Sequence, residues 1–261
     1  MPSTVKTPDF KTKTGVEIPG FTSRQLAAMH EELRNSLHMN DSAVTEAASY
    51  SMAMVVRFAL GLSASGGKVC ALARDSIAGW VALAAIRHLV NAGSTAHVLF
   101  LPEDSGLSPE ADRQLKALEA LGVTLTDGGS PEQMDAFTAF LGEAHNILFG
   151  VYSPGREPEE FLLGICEVLN EDRIPVHCIE CPPGLNPDTG AAVEGALYAS
   201  STLSLGAPLI GLNGGKDHVG RHYVCDISFS RSLYASQGCD LSALFSDQPV
   251  VQILPTKQDE A

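Results

Sequence analysis

The sequence predicts an α/β protein, a Rossmann-like three-layer α/β/α sandwich with a mostly parallel central sheet. From Lys68 onward, short apolar runs alternate with longer amphipathic runs over roughly 130 residues. Such alternation is typical of strand–helix–strand units, whose right-handed crossovers give parallel strands covered on both faces. The 261 residues, 44% of them apolar, are also sufficient for one domain with a large core.

The chain is expected to contain an arm and a single domain. Residues 1–20 are interpreted as a flexible N-terminal arm, because the first 15 positions lack apolar periodicity and carry several lysines. Residues 21–261 then form the domain. It comprises a helical section (21–62), a Rossmann-like core (66–230) and a C-terminal extension (231–261).

Two helices are predicted in the helical section. Thr22 or Ser23 caps the first, in which apolar residues recur at three- and four-residue steps, and Gln25 stands where a capping box requires it. A second cap signal at residues 40–42 opens an apolar run over residues 44–60, before a glycine- and serine-rich stretch ends it.

The core is predicted to alternate strands and helices. Short apolar runs indicate strands at residues 69–73, 97–101, 123–125, 146–149, 176–179, 202–205 and 223–227. Longer amphipathic runs indicate helices at residues 79–91, 109–121, 131–141 and 158–169. Pro158 suits the first position of the last helix. Residues 211–215 lack the spacing of a phosphate loop and are interpreted as a flexible turn between the last two strands.

Charge, hydropathy and cysteine usage exclude several functional classes. The net charge of −14 repels phosphate backbones, so nucleic acid is not an expected partner. No window approaches the roughly 20 apolar residues that cross a bilayer, so no membrane contact is expected. The six cysteines are scattered, which favours free thiols in a reducing, cytoplasmic setting.

Three segments carry recognisable motifs: ECPPGLNPDTG at 180–190, NILFG at 146–150 and AIRHLVNAG at 85–93. They resemble the D-I-P-S-G-L-x-x-x-T-G, D-A-L-F-G-T-G and A-R-H-L-x-x-x-G motifs of the YjeF N-terminal domain family. That family contains NAD(P)H-hydrate epimerase and non-enzymatic relatives. Together with weaker matches, the motifs follow the family's order over residues 25–230.

The resemblance implies a pocket for the phosphates of a hydrated NADH or NADPH, with a potassium ion and an acid–base pair. The chain departs from the family at most of these positions. Ile77 and Ala78 replace two loop asparagines, while Asn146 and Pro183 stand at the aspartate and serine that help to hold the ion. Glu180 stands at the substrate-contacting aspartate.

These departures predict that the potassium and nucleotide-hydrate site is lost. Ile77, Ala78 and Pro183 offer no side-chain oxygen, and Asn146 offers only a neutral one, whereas a hard cation needs several oxygen ligands. We therefore expect no metal and no cofactor. The run of His177, Cys178 and Cys181 is interpreted as core packing, because it lacks the four ligands of a zinc site and does not open a helix as redox motifs do.

Glu180 is the candidate catalytic residue. A carboxylate at the end of a buried strand is desolvated, which raises its pKa toward values useful for acid–base chemistry; such a carboxylate is also commonly solvated or a turn cap. Arg74 is interpreted as pairing either with an anionic ligand or with a carboxylate of the protein itself. The full set of candidate ligand-binding residues is Arg74, Asp75, Ser76, Gly79, Asn146, Gly150, Tyr152, Ser153, Cys181 and Gly184.

Three functions remain open at this point. The first is a divergent epimerase-like protein that retains a small-molecule-binding or partner-binding role, with an unknown small molecule in the crevice at the carboxyl ends of the strands. The second is an isomerase, hydratase or lyase that acts on a different small substrate, with Glu180 as general base. The third is residual NAD(P)H-hydrate epimerase activity. The family resemblance further implies a homodimer.

Overall fold

The computed structural model describes residues 7–59, 67–102, 106–128, 131–241 and 243–256. Within these ranges, ten strands form a single sheet with helices on both faces. The predicted fold class is therefore confirmed. Among the helices described, none is long and apolar enough to cross a membrane.

The sheet combines a parallel majority with an antiparallel margin. Its strands are β1 Phe10–Thr12, β2 Glu17–Ile18, β3 Lys68–Arg74, β4 Thr95–Leu101, β5 Thr124–Asp127, β6 Asn146–Gly150, β7 Val176–Ile179, β8 Ser201–Leu205, β9 Arg221–Cys225 and β10 Val250–Pro255. Their spatial order is β2-β1-β10-β9-β8-β7-β6-β3-β4-β5. The strands from β9 to β5 in this order are parallel, and β10, β1 and β2 are antiparallel.

Helices connect and cover the strands. They are α1 Ser23–Asn35, α2 Asp41–Met54, α3 Ile77–Asn91, α4 Pro109–Ala120, α5 Pro131–Leu141, α6 Glu160–Asp172, α7 Gly211–Gly214, α8 Lys216–Val219 and α9 Arg231–Ser236. A π-helical turn at Val55–Ala59 continues α2. The capping box predicted from Thr22 and Gln25 forms at the start of α1.

Two apolar layers lie on opposite faces of the sheet, as the alternation along β3 illustrates. Val69, Ala71 and Ala73 belong to the layer that packs against α1 to α4 and α9. Cys70 and Leu72 belong to the layer under α5 and α6. Successive side chains of a strand point to opposite faces, so the central strands read as unbroken apolar runs.

The chain reverses its direction of strand addition between β3 and β6. Strands β4 and β5 are added on one side of β3, and β6 to β9 are then added on the other. The loops that leave β3 and β6 consequently diverge, and such a switch point at the carboxyl edge is where ligands bind in sheets of this kind.

The described part of the predicted N-terminal arm belongs to the sheet, which corrects the prediction of a flexible segment. Within its described part, residues 7–20, β1 pairs with β10 and β2, and Phe10 and Ile18 are fully buried. These strands are two and three residues long, too short to show periodicity, and the partner strand β10 lies at the far end of the sequence. Residues 1–6 lie outside the described ranges.

Two smaller expectations also differ from the structure. Pro158 does not occupy the first helical position, because α6 begins at Glu160 with Glu159 as its N-cap. The expected turn at 211–215 is instead occupied by α7 and by Gly215, which separates α7 from α8. The glycine- and serine-rich stretch that was expected to end the helical section lies mostly outside the described residues.

Candidate functional site

A cavity of about 480 Å³ opens at the switch point, and we call it the crevice. Helix α1 forms one wall, and the loop after β3 with the start of α3 forms another. The loop after β6 forms a third wall, and Glu180, which directly follows β7, completes the lining. Much of the wall is apolar, with contributions from Leu26, Ile77, Ala78 and Trp80.

Glu180 is the most unusual residue of the crevice. Its φ of +69° lies in the left-handed region that residues other than glycine rarely adopt. The residue is buried, and its Oε1 accepts a hydrogen bond from the Leu205 amide at 3.2 Å. Oε2 has no partner among the described residues. Burial raises the pKa of this carboxyl well above its usual range and so favours its protonated form.

Tyr152 contributes a second unsatisfied oxygen. Its hydroxyl is buried and finds no hydrogen-bond partner within the described part of the chain. Burial raises the pKa of this phenol. Tyr152 and Glu180 line the same cavity, so the two groups face one space. The Tyr152 backbone carbonyl accepts a hydrogen bond from Ser76 Oγ at 2.9 Å, which ties this loop to the start of α3.

His30 is a crevice residue that the sequence analysis missed. It lies on α1 and is buried, with its Nε2 3.9 Å from Glu180 Oε1. Burial, followed by the positive charge of Arg34, lowers the pKa of His30 to about 4, so the imidazole is neutral at pH 7. A signal was present, because His30 lies on the face of α1 that buries Leu26 and Leu33.

Asp75 and Ser76 line the crevice but are satisfied by the protein. Asp75 accepts hydrogen bonds from the Ser108 amide and hydroxyl, both at 2.6 Å, and from Trp80 Nε1 at 2.7 Å. Ser76 is the N-cap of α3, and its Oγ accepts from the Gly79 amide. Both residues therefore hold the mouth of the crevice in shape.

A second cavity of about 170 Å³ adjoins the crevice. Tyr152 and Ser153 line both spaces, while Cys181 and Gly184 line only the smaller one. The Cys181 thiol donates to the Leu185 carbonyl at 3.4 Å, and burial raises its pKa. A protonated, hydrogen-bonded thiol fits core packing rather than redox chemistry.

Arg74, Gly79 and Gly150 are not brought to the crevice as ligand-binding residues. Arg74 is buried and donates to both carboxylate oxygens of Glu159, at 2.8 and 2.7 Å. A Cβ on Gly79 would lie 1.8 Å from the Arg74 carbonyl oxygen, and one on Gly150 would lie 2.5 Å from the Ala78 carbonyl oxygen. The glycines thus permit close packing of α3 on the sheet.

Asn146, which the sequence analysis lists among the ligand-binding residues, lies away from the crevice in the structure. It is the first residue of β6, whereas the crevice lies beyond the last, Gly150, so about 13 Å of strand separates the two. Asn146 Oδ1 is 2.7 Å from His177 Nε2, and His177 Nδ1 is 3.0 Å from Ser201 Oγ. The motif identified the strand correctly, but it could not indicate at which end Asn146 lies.

Comparison with known proteins adds a family and a fold. A family model described as YjeF-related protein N-terminus matches residues 41–211. An NAD(P)H-hydrate epimerase of Dehalogenimonas lykanthroporepellens is 28% identical over 199 residues, which cover 76% of each chain.

Two further similarities differ in what they cover. The bifunctional NAD(P)H-hydrate repair enzyme Nnr of Salinibacter ruber is 31% identical over 147 residues, or 51% of this chain. The match spans only 26% of that enzyme, about a quarter of its length. The crystal structure of yeast ynu0 has a TM-score of 0.77 at 19% identity and covers 90% of this chain and 100% of its own. This last similarity supports the fold alone.

Proposed function

Because the chain belongs to the family of YjeF-related protein N-termini, we propose that it is an NAD(P)H-hydrate epimerase-like protein that binds a small molecule in the crevice and has lost the family's potassium and nucleotide-hydrate site. The observation that carries this proposal is the pair of buried oxygens, Glu180 Oε2 and Tyr152 Oη, that lack partners among the described residues and belong to side chains lining the crevice. Buried polar atoms of this kind call for a ligand or water.

The side chains at the implied ion-binding positions do not fit potassium. Ile77 and Ala78 present aliphatic groups to the crevice, and Pro183 lies in the wall of the adjoining cavity without a side-chain oxygen. Asn146 is engaged with His177 at the other end of β6. A hard cation needs several oxygen ligands, so these side chains do not fit the ion.

The charges around the crevice do not favour a phosphorylated dinucleotide either. Arg74, at the end of β3, is paired with Glu159, and Arg34, in the wall formed by α1, lies 3.0 Å from Asp41. Glu31 and Asp75 line the crevice with acidic groups. A ligand with few or no phosphates meets less repulsion here.

A second candidate function is an isomerase, hydratase or lyase acting on such a ligand with Glu180 as its acid–base group. The desolvated carboxyl favours it, since enzymes tune carboxyl pKa values upward in this way. Glu180 would then begin the reaction as an acid rather than as the base that the sequence suggests. Residual NAD(P)H-hydrate epimerase activity is the competing outcome.

Thermal unfolding with a nucleotide panel tests the proposal. The protein is heated in potassium buffer with NADPH, hydrated NADPH or ADP-ribose at millimolar concentration. We expect an unchanged unfolding midpoint, because the protein does not bind these nucleotides. Binding would be visible, since a ligand at 100 times its Kd stabilises the folded state by about 2.7 kcal/mol, which corresponds to a rise of several degrees. A midpoint that rises in potassium but not in sodium contradicts the loss of the site.

Turnover distinguishes the candidate functions from one another. Epimerisation of hydrated NADPH by the parent protein, lost in Glu180→Gln, would support residual epimerase activity and overturn the main proposal. No conversion of the hydrate, together with an unmoved midpoint, favours a changed ligand.

We also propose that the protein is a cytoplasmic homodimer. All six cysteines are free thiols and five are buried, as suits a reducing compartment. The helical section exposes Tyr50 and Phe58, which supports a contact between copies. Light scattering on the purified protein tests this, and a monomer at micromolar concentration contradicts it.

A further inference from the structure

We infer that Tyr152 and Glu180 form a pair of hydrogen-bond donors for the oxygen of an uncharged carbonyl compound, and that His30 is the base that acts on the carbon beside it. This inference rests on the proposed function and deepens it, because it names the class of substrate and a catalytic residue that the sequence motifs do not contain.

The donor pair follows from the hydrogen bonds already made. The Leu205 amide donates to Glu180 Oε1, so the proton of the carboxyl is free to lie on Oε2, which has no partner in the described chain. The Tyr152 hydroxyl is equally buried and equally unpartnered there. A tyrosine and a protonated carboxylic acid are a known combination for stabilising negative charge on a carbonyl oxygen.

The position of His30 suits a base for the neighbouring carbon. Its Nε2 is 3.9 Å from Glu180 Oε1, too far for a hydrogen bond between them and close enough for one substrate group to contact both. A carbon next to a carbonyl lies about two bonds from the oxygen, so its base must stand a few ångströms from the oxygen's donors. The imidazole is neutral at pH 7 and can accept a proton.

The crevice walls fit an uncharged molecule. Leu26, Ile77, Ala78 and Trp80 supply apolar surface for a carbon skeleton. Burial favours the neutral forms of His30, Tyr152 and Glu180. Glu31 and Asp75 also line the crevice, so a carboxylate or phosphate meets repulsion there.

The proton transfers balance without a co-reactant. His30 takes a proton from the carbon beside the carbonyl, the C–H bonding pair forms a C=C bond, and the π pair of the C=O bond moves onto the oxygen. Tyr152 and Glu180 stabilise that oxygen by hydrogen bonding. The imidazolium returns the proton to the same carbon or, in a β,γ-unsaturated compound, to the γ carbon, and the C=O bond reforms. The overall result is isotope exchange or isomerisation.

Binding of 4-nitrophenol tests the donor pair, because a phenolate oxygen resembles an enolate oxygen. We expect the protein to bind this probe and to lower the phenol's pKa, seen as phenolate absorbance at a pH where the free probe is protonated. Tyr152→Phe should weaken binding about tenfold, as expected for one charge-assisted hydrogen bond in a buried site. Tyr198→Phe is the matched control, since Tyr198 is exposed outside the crevice and stacks on His218; it should bind as the parent does.

Deuterium exchange tests the base, and 4-nitrophenol affinity shows whether the variant is still folded. The parent protein should accelerate exchange of the hydrogens beside the carbonyl of cyclopentanone in D₂O, followed by NMR. His30→Gln should lose that acceleration while keeping 4-nitrophenol affinity within about twofold.

Each outcome decides the inference. Failure of 4-nitrophenol to bind, or equal binding by the parent and Tyr152→Phe, overturns the donor pair, and absence of exchange by the parent overturns the base. These failures are distinct from failure of the proposed function, which would appear as potassium-dependent stabilisation by the nucleotide panel.

Discussion

Glu180 combines three features that each oppose folding. Its backbone is in the left-handed region, its carboxyl is buried, and Oε2 lacks a partner within the described residues. A conformation of this kind costs about 1–3 kcal/mol, and an unsatisfied buried group adds to that. Such costs concentrate at functional sites, which is the reason to assign chemistry to this residue.

The difference in the free energy of unfolding between Glu180→Gln and the parent should grow as the pH rises. In the unfolded chain this carboxyl ionises above about pH 4.3, whereas in the folded protein burial raises its pKa, so its ionisation is shifted to higher pH. The unfolded state is therefore favoured as the pH rises above 4.3, and glutamine removes that effect. We expect the free energy of unfolding of the variant to exceed that of the parent at pH 7 and to match it more closely at pH 4.

Urea unfolding of both proteins at the two pH values measures this difference. Effects of the buried histidines cancel, because both proteins contain them. A difference between variant and parent that does not change with pH would contradict the assignment of a neutral Glu180.

Asn146 should behave as a structural residue and not as a site residue. Burial lowers the pKa of His177 to about 4, and its Nε2 depends on Asn146 for a hydrogen bond. Asn146→Ala should lower the free energy of unfolding by about 1–3 kcal/mol, because the buried imidazole nitrogen loses this partner. Chemical denaturation measures the loss. The affinity for 4-nitrophenol should stay within twofold of the parent, and a tenfold fall would place Asn146 in the site instead.

The sequence was sufficient to place Glu180 and Tyr152 at the carboxyl edge of the sheet, because both follow apolar runs that end there; their roles in a site stay predictions. It was insufficient for His30, which is brought to Glu180 from 150 positions away by the packing of α1. It also could not tell that Arg74 is engaged with Glu159, since that pair joins the end of β3 to the N-cap of α6 rather than lying along one element.

Glycines determine how closely helix α3 packs on the sheet. A Cβ on Gly150 would lie 2.6 Å from the Ala82 Cβ and 2.5 Å from the Ala78 carbonyl oxygen. Gly150→Ala should therefore lower the free energy of unfolding by about 1–3 kcal/mol through overpacking. Gly164→Ala is the control, because nothing lies within 4 Å of the added methyl and alanine favours the helix, so a gain of up to about 1 kcal/mol is expected.

Thermal or urea unfolding of the two glycine variants checks this contrast. Equal effects at the two positions would contradict the close approach of α3 to β6. The family motif contains a glycine at position 150, and its role here is explained by packing without any ligand.

Elements with strong local patterns were predicted well, and short ones were not. The apolar runs of β3, β4 and β6 identify strands because both faces of a parallel sheet are covered. The two- and three-residue strands β2 and β1 carry too few residues for any period, and β10 was not predicted at all. Their pairing depends on residues from opposite ends of the chain.

The two ends of the described chain complete one sheet together. Phe10 in β1 is opposite Pro255 in β10 and packs edge-on against His222 at 5.2 Å. Phe10→Ala should lower the free energy of unfolding by about 3–5 kcal/mol, because it removes a fully buried aromatic ring. Lys11→Ala, at an exposed neighbouring position, should change it by less than about 0.5 kcal/mol. A small effect of Phe10→Ala in urea unfolding would mean that the N-terminal strands do not support the core.

For the molecule as a whole, we propose that the family frame is retained while the ligand positions are changed. The strand order, the switch point and the packing glycines form a crevice whose wall combines apolar side chains with polar ones, among them His30, Tyr152 and Glu180. A site of this kind selects by shape and hydrogen bonding rather than by charge.

A crystal soaked with hydrated NADPH and rubidium chloride would show whether the ion and nucleotide site is lost, since rubidium replaces potassium and gives an anomalous signal. We expect no ordered dinucleotide beside Ile77 and Pro183 and no anomalous peak in the crevice. An ordered nucleotide with a rubidium ion at those residues would contradict the loss of the site.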